Sequence, residues 1–240
     1  MRPRGSTPPL TYDAAVTLKE TLGIFGLEAQ AIHDAMDGLT DGDWDQPTAC
    51  APWSVRDMLG HLHVVIAWLP QVLAGEVPVE AGVTDAQYYR LDKRFSLSAN
   101  ARRIDLAVEH AASFSDAVQQ RAAFESLVED VSDRCAREPE DRVVRTRHGD
   151  AMLLHHFLAT RVVELTIHGL DIARALGCDP WITPPAADFV RSLLLGQGRT
   201  APIQGWDTIT FLLKATGRVP VTDDENRLLE KANVTWLTLG

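Results

Sequence analysis

Apolar positions recur at helical spacing from Thr11 to Leu39, at Leu18, Leu22, Phe25, Ala29, Ile32, Met36 and Leu39. The pattern predicts a long amphipathic helix, weakened in its middle by Gly23 and Gly26. Asp41 to Trp53 reads as a turn-rich loop. Ser54-Val55-Arg56-Asp57 then offers a capping arrangement, and a second helix is predicted to run to Ala74 despite Pro70. A third is predicted from Asn100 to Ala136, capped by Ser98 or Asn100. A fourth runs from Leu153 to Leu176 and stops at Gly177, a favourable C-terminal glycine. Between the last two, Arg142 to Met152 alternates weakly around the turn signal His148-Gly149-Asp150, which predicts a short hairpin or extended loop. Residues 75–99, with Tyr88 and Tyr89, form a connection long enough to cover a site.

Four long helices in the first 175 or so residues predict a mainly α fold, a four-helix bundle with antiparallel or crossover connections. After Pro180 the texture changes, with Pro184, Pro185, Gly196, Gly198, Pro202 and Gly205 dividing shorter elements. Helices are expected near 186–195, 206–216 and 223–232, and a strand over Val234 to Leu239, whose composition suits a sheet. The chain therefore divides into a flexible arm (1–10), a bundle (11–179) and a small C-terminal α/β subdomain (180–240).

Composition narrows the function classes. The 240 residues are 45% hydrophobic and 23% charged, as in ordinary globular domains. A net charge of -10 lacks the electrostatic footprint of a nucleic-acid binder and would be repelled by an anionic membrane. No apolar run is long enough to span a bilayer, and Met1 to Pro9 lacks the apolar core of a secretory signal. Three widely spaced cysteines, Cys50, Cys135 and Cys178, support neither a disulfide framework nor a zinc finger. The expectation is a soluble cytoplasmic protein with reduced thiols, a monomer or homodimer.

The sharpest local feature is Arg161-Val-Val-Glu164-Leu-Thr-Ile-His168-Gly-Leu-Asp171. Glu164 and His168 share one helical face a turn apart. A carboxylate and an imidazole so spaced can take adjacent positions on a divalent ion; the same spacing also serves a solvated ion pair. Asp171 shares that face and can orient the His168 ring, and Arg161 can hold a carboxylate or a substrate. The candidate third ligand is His61, on the second helix. His63 is offset from it by about 200°. His155 points about 180° from Glu164, and His156 is two turns away, a rim residue at most.

Trp44, Pro47-Thr48, Cys50, Trp53-Ser54-Val55-Arg56-Asp57 and His61-Leu62, followed by Glu164-xxx-His168-Gly169-x-Asp171, resemble the mycothiol-dependent maleylpyruvate isomerase family of the DinB-like metalloenzyme superfamily. The stretch Gly205-Trp206-Asp207 to Arg218 looks like that family's C-terminal region. The resemblance implies a DinB-like four-helix bundle holding a zinc-type divalent ion on His61, Glu164 and His168, with a C-terminal subdomain closing over it. It also implies mycothiol as thiol cosubstrate and a small electrophile as partner, in an S-transferase or a cis–trans isomerase. A non-catalytic metal-binding stress or binding protein on the same bundle is the other reading. Two histidines and a carboxylate suit zinc, nickel, iron or manganese. Arg218 is placed to bind a substrate carboxylate or to cap a helix, and Trp53, Tyr88 and Tyr89 to line the pocket or pin the loops. Cys50 reads as a small apolar residue in a folded loop, or as a thiol sensor or extra ligand.

Overall fold

A computed structural model of the chain describes residues 16–89, 96–195, 205–232 and 234. Residues 1–10, expected from the sequence to form an arm, and the first residues of the predicted N-terminal helix lie outside them. That helix is α1, Leu18–Ala35. The Thr17 side chain accepts from the Glu20 N–H and the Glu20 carboxylate accepts from the Thr17 N–H, a reciprocal cap. The helix ends before Leu39, and Gly38 takes a left-handed φ of 76° that ordinary side chains disfavour. The turn-rich loop holds one short helix, α2 (Asp41–Trp44), and a cis Ala51–Pro52 bond.

Two predicted helices are split. The second is α3 (Val55–Ile66) and α4 (Trp68–Leu73). Pro70 has no N–H to give the Ile66 carbonyl, so the ladder breaks four residues before it. The long connection contains α5, Asp85–Tyr88. The third helix is α6 (Leu97–Ala111) and α7 (Ala117–Cys135). The Ser113 hydroxyl donates to the His110 carbonyl at 2.7 Å, closing the end of α6, and the Asp116 carboxylate accepts from the Gln119 N–H at 2.8 Å, opening α7. A local Ser/Asp capping pair thus overrides the continuous helical propensity around it.

The expected hairpin is β1 (Val143–Arg145) paired antiparallel with β2 (Ala151–Leu153), Val144 opposite Met152. It leads into α8, Leu154–Ala175. Helix α8 ends as the sequence indicates: Gly177 has φ 65°, and the Cys178 N–H donates to the Ala173 carbonyl at 2.9 Å.

The bundle is a closed ring. Helix α1 packs on α7 and α8, and α3 packs on the same two. Helix α6 lies outside, across α3. At Gly60 the two approach so closely that a Cβ would sit 2.6 Å from the Ala107 carbonyl oxygen, so the residue before His61 has no room for a side chain. Helix α8 is buried on almost every face from Leu154 to Ala173, because α1, α3, α5, the hairpin and α9 all pack on it. A helix covered on all sides has no stripe to read.

Helix α9 (Pro184–Leu195) rests on α1, α5 and α8 and carries α10 (Thr208–Ala215); α11 is Asp223–Lys231. Apart from Val234, the expected final strand lies outside the described residues. No described helix is long and apolar enough to cross a membrane.

Candidate metal centre

Helix α3 supplies His61 and helix α8 supplies Glu164 and His168, from stretches about a hundred residues apart. The His61 Nε2 is 3.2 Å from Glu164 Oε2, and the His168 Nε2 is 3.3 Å from the same oxygen. All three donor atoms lie within 4.8 Å of one another, and all three residues are buried. Ligands about 2.0–2.1 Å from a tetrahedral zinc stand roughly 3.3 Å apart. The two spacings to Glu164 Oε2 match that edge and the two histidine nitrogens lie within 4.8 Å of each other, so the donor set fits a divalent ion in chemistry and reach.

The next layer orients these donors. Asp171 Oδ2 lies 3.0 Å from His168 Nδ1. A carboxylate only accepts, so Nδ1 carries the proton and Nε2 faces Glu164. The Arg218 guanidinium grips Asp171 with both arms, Nε to Oδ1 at 3.2 Å and Nη2 to Oδ2 at 3.0 Å. The Cys50 thiol donates to Asp171 Oδ2 at 3.4 Å and lies 3.7 Å from Arg218 Nη2. The Trp53 ring stacks on His61 at 4.7 Å and shields it from water.

Electrostatics follow from these contacts. Burial pulls His61 down to about 4, against the opposing pull of Glu164, with the nearby charge of Arg103 among the forces lowering it. Burial also favours a neutral Glu164, but the hydrogen bonds from His168 and His61 outweigh it and hold the carboxyl well below its usual range. His168 goes the other way. Burial lowers it, but bonds to Asp171, Cys50 and Glu164 raise it well above the usual imidazole value. The Asp171 carboxyl is held low by His168 and Arg218 against its own burial.

The other expected residues divide. Arg218, read from the sequence as a substrate-carboxylate or helix-capping residue, pairs with Asp171 and donates from Nη1 to the Thr216 carbonyl at 2.9 Å at the end of α10. Arg161 makes no described contact with Glu164. Its Nη1 donates to the Val65 carbonyl at 2.8 Å and its Nη2 to the Thr160 hydroxyl at 2.9 Å, with the guanidinium 4.9 Å from the Phe157 ring centre. Tyr88 and Tyr89 are buried; the Tyr89 hydroxyl donates to the Thr160 carbonyl at 3.1 Å, and Tyr88 packs on Tyr89 and Phe157. His63 lies against His110 with its ring tilted and the ring centres 4.2 Å apart, and His156 lies 3.1 Å from Asp85, so neither joins the three donors. Sequence reasoning missed Arg103, which lines a cleft beside Cys50 and Trp53; no motif on α6 marks it.

Residues 25–173, more than half of the chain, match the family model described as the mycothiol maleylpyruvate isomerase N-terminal domain. The chain belongs to that family. A crystal structure of the mycothiol-dependent maleylpyruvate isomerase is similar over 80% of this chain and 74% of that one, with a TM-score of 0.51 and 14% identity. At that identity the likeness speaks for the fold, the DinB-like helical bundle. No curated protein sequence matches the chain.

Proposed function

We propose that the protein is a divalent-metal- and mycothiol-dependent enzyme that presents a low-molecular-weight thiol to an electrophilic small molecule. The observation that carries this is the convergence of His61, Glu164 and His168 on one point within hydrogen-bonding reach. Membership of a mycothiol-linked isomerase family supports the choice of thiol. Three protein ligands are the pattern of a catalytic site, with a position left over for water or substrate. A divalent ion held there supplies Lewis acidity, which lowers the proton affinity of a thiol bound to it.

The chain's own residues hold and tune that position. Asp171 keeps the His168 proton on Nδ1, which leaves Nε2 as a donor to the ion. Arg218 holds Asp171 and ties the segment after α10 to the centre. Trp53 covers His61. Glu164 stays ionised at neutral pH and so offsets part of the ion's charge.

Addition of the thiolate to a conjugated double bond permits rotation about the former double bond, and elimination then returns the thiol; this is the isomerase outcome. Displacement of a leaving group by the same thiolate yields a conjugate; this is the transferase outcome. The test is elemental analysis of wild type and His61→Ala, followed by turnover with mycothiol and either maleylpyruvate or an electrophilic dye. About one ion per wild-type chain, its loss in the variant, and thiol-dependent turnover are expected. A fully loaded centre without thiol-dependent turnover would leave a metal-binding protein and defeat the enzyme reading.

A further inference from the structure

Helices α3 and α8 hold the candidate centre between them, and among the described residues two side-chain hydrogen bonds cross from one to the other. One joins His61 Nε2 and Glu164 Oε2 at 3.2 Å. In the other, Arg161 Nη1 donates to the Val65 carbonyl at 2.8 Å. Val65 is one turn after His61 on α3, and Arg161 is one turn before Glu164 on α8. The two bonds are therefore successive rungs of one seam, about 5 Å apart along it.

We infer that Arg161 is a positioning residue that sets the separation of α3 and α8 at the candidate centre. This rests on the metal centre proposed above. The guanidinium is fixed from the α8 side. Thr160 Oγ1 donates to the Phe157 carbonyl at 2.6 Å and accepts from Arg161 Nε at 3.1 Å and Nη2 at 2.9 Å. The fork is planar and rigid, so holding two nitrogens aims the third, Nη1, across the seam. Its target lies in the last turn of α3, just before the break at Ala67. Carbonyls there have no donor within the helix, and the helix end favours a cation. Arg161 is 1% exposed, and among the described residues no carboxylate pairs with it. Its charge meets that helix end and the rings of Phe157 at 4.9 Å, Trp68 at 5.4 Å and Tyr88 at 6.0 Å. A buried guanidinium with only neutral partners is a poor source of stability. Packing alone does not account for it; alignment of the two helices that carry the donors does.

The test measures zinc affinity of the full chain against a competing chelator, with the Tm of each ion-free sample. Arg161→Met keeps a long side chain among the three rings and removes the donors. It should bind zinc about 10-fold more weakly than wild type, the lower end of the range for residues behind the ligands, with no matching fall in Tm. Arg161→Lys, which still reaches one acceptor, recovers part of the loss. Thr160→Val frees the fork and weakens binding in the same direction; if Arg161→Met does not fold, this variant decides, and wild-type affinity in it overturns the assignment. In crystals of the ion-free proteins, the separation of His61 Nε2 and Glu164 Oε2 widens beyond about 3.5 Å in Arg161→Met. Wild-type affinity or an unchanged separation in Arg161→Met overturns the assignment, as does a loss of affinity in step with Tm that Arg161→Lys does not relieve. Absence of zinc binding in wild type defeats the metal centre instead, and the separation in the ion-free crystals then still decides the role of Arg161.

Discussion

Glu164 and Glu28 are both buried carboxylates at helix α8, one projecting from it and one facing it from α1. Their fates differ. Glu164 is held ionised by two imidazoles and sits well below its usual range. Glu28 is pushed up by burial, because its donors are neutral: Oε2 accepts from the Thr183 N–H at 2.8 Å and the Thr183 hydroxyl at 2.7 Å. Its Oε1 has no hydrogen-bond partner among the described residues. Desolvation acts on both. What separates a site built for charge from a structural tie is the charge and number of the donors aimed at it.

Removing the charge at each carboxylate sharpens the contrast. Glu164→Gln keeps the shape but loses the anion, and ion affinity should fall by more than about 100-fold, beyond the range of outer-layer changes. In the ion-free protein the His168 pKa should also drop, because one of the bonds that raise it is gone; NMR titration of the ring reads this directly. Asp171→Asn leaves all three donors in place but frees His168 Nδ1 to choose its tautomer. Ion affinity should fall about 10- to 100-fold with the fold intact by circular dichroism.

Glu28→Gln should have the smallest effect and leave ion content unchanged. The sign of its pH dependence follows from the raised pKa. Between the ordinary value of 4.5 and its higher folded value, native Glu28 binds more proton than the unfolded chain does. Its contribution to stability is therefore full below that window and is lost as pH rises through it. Glu28→Gln should flatten that part of the curve. At neutral pH, where the buried charge of Glu28 is fully present, it should raise Tm, as melting curves across the pH range would show. A large loss of bound ion in this variant would break the comparison.

The parts legible in the sequence are those whose causes are local. Gly177 marks the end of α8, and the Ser54–Asp57 cap starts α3. The spacing of Glu164 and His168 fixes their shared face, and His61 stands out as a mid-helix histidine on an otherwise apolar second helix, the residue the resemblance also points to. The interrupted helices at Ala67 and 112–116 were signalled by Pro70 and by Ser113 and Asp116, but helical periodicity on both sides of each break outweighed the signal. Long-range partners were not legible. Arg218 meets Asp171 across 47 positions, and Arg161 finds a carbonyl on α3 rather than the carboxylate one turn away. Glu28 looks like a solvated helix residue until α9 and its Thr183 cover it. Such pairings are set by packing, which residue spacing does not encode.

The most direct test is a crystal structure of the ion-loaded chain with anomalous scattering collected at the absorption edge of the bound metal. One strong peak about 2.0–2.2 Å from His61 Nε2, a Glu164 carboxylate oxygen and His168 Nε2 is the expected result. A peak at any other set of side chains, or none at these three in protein shown to be loaded, would contradict the account.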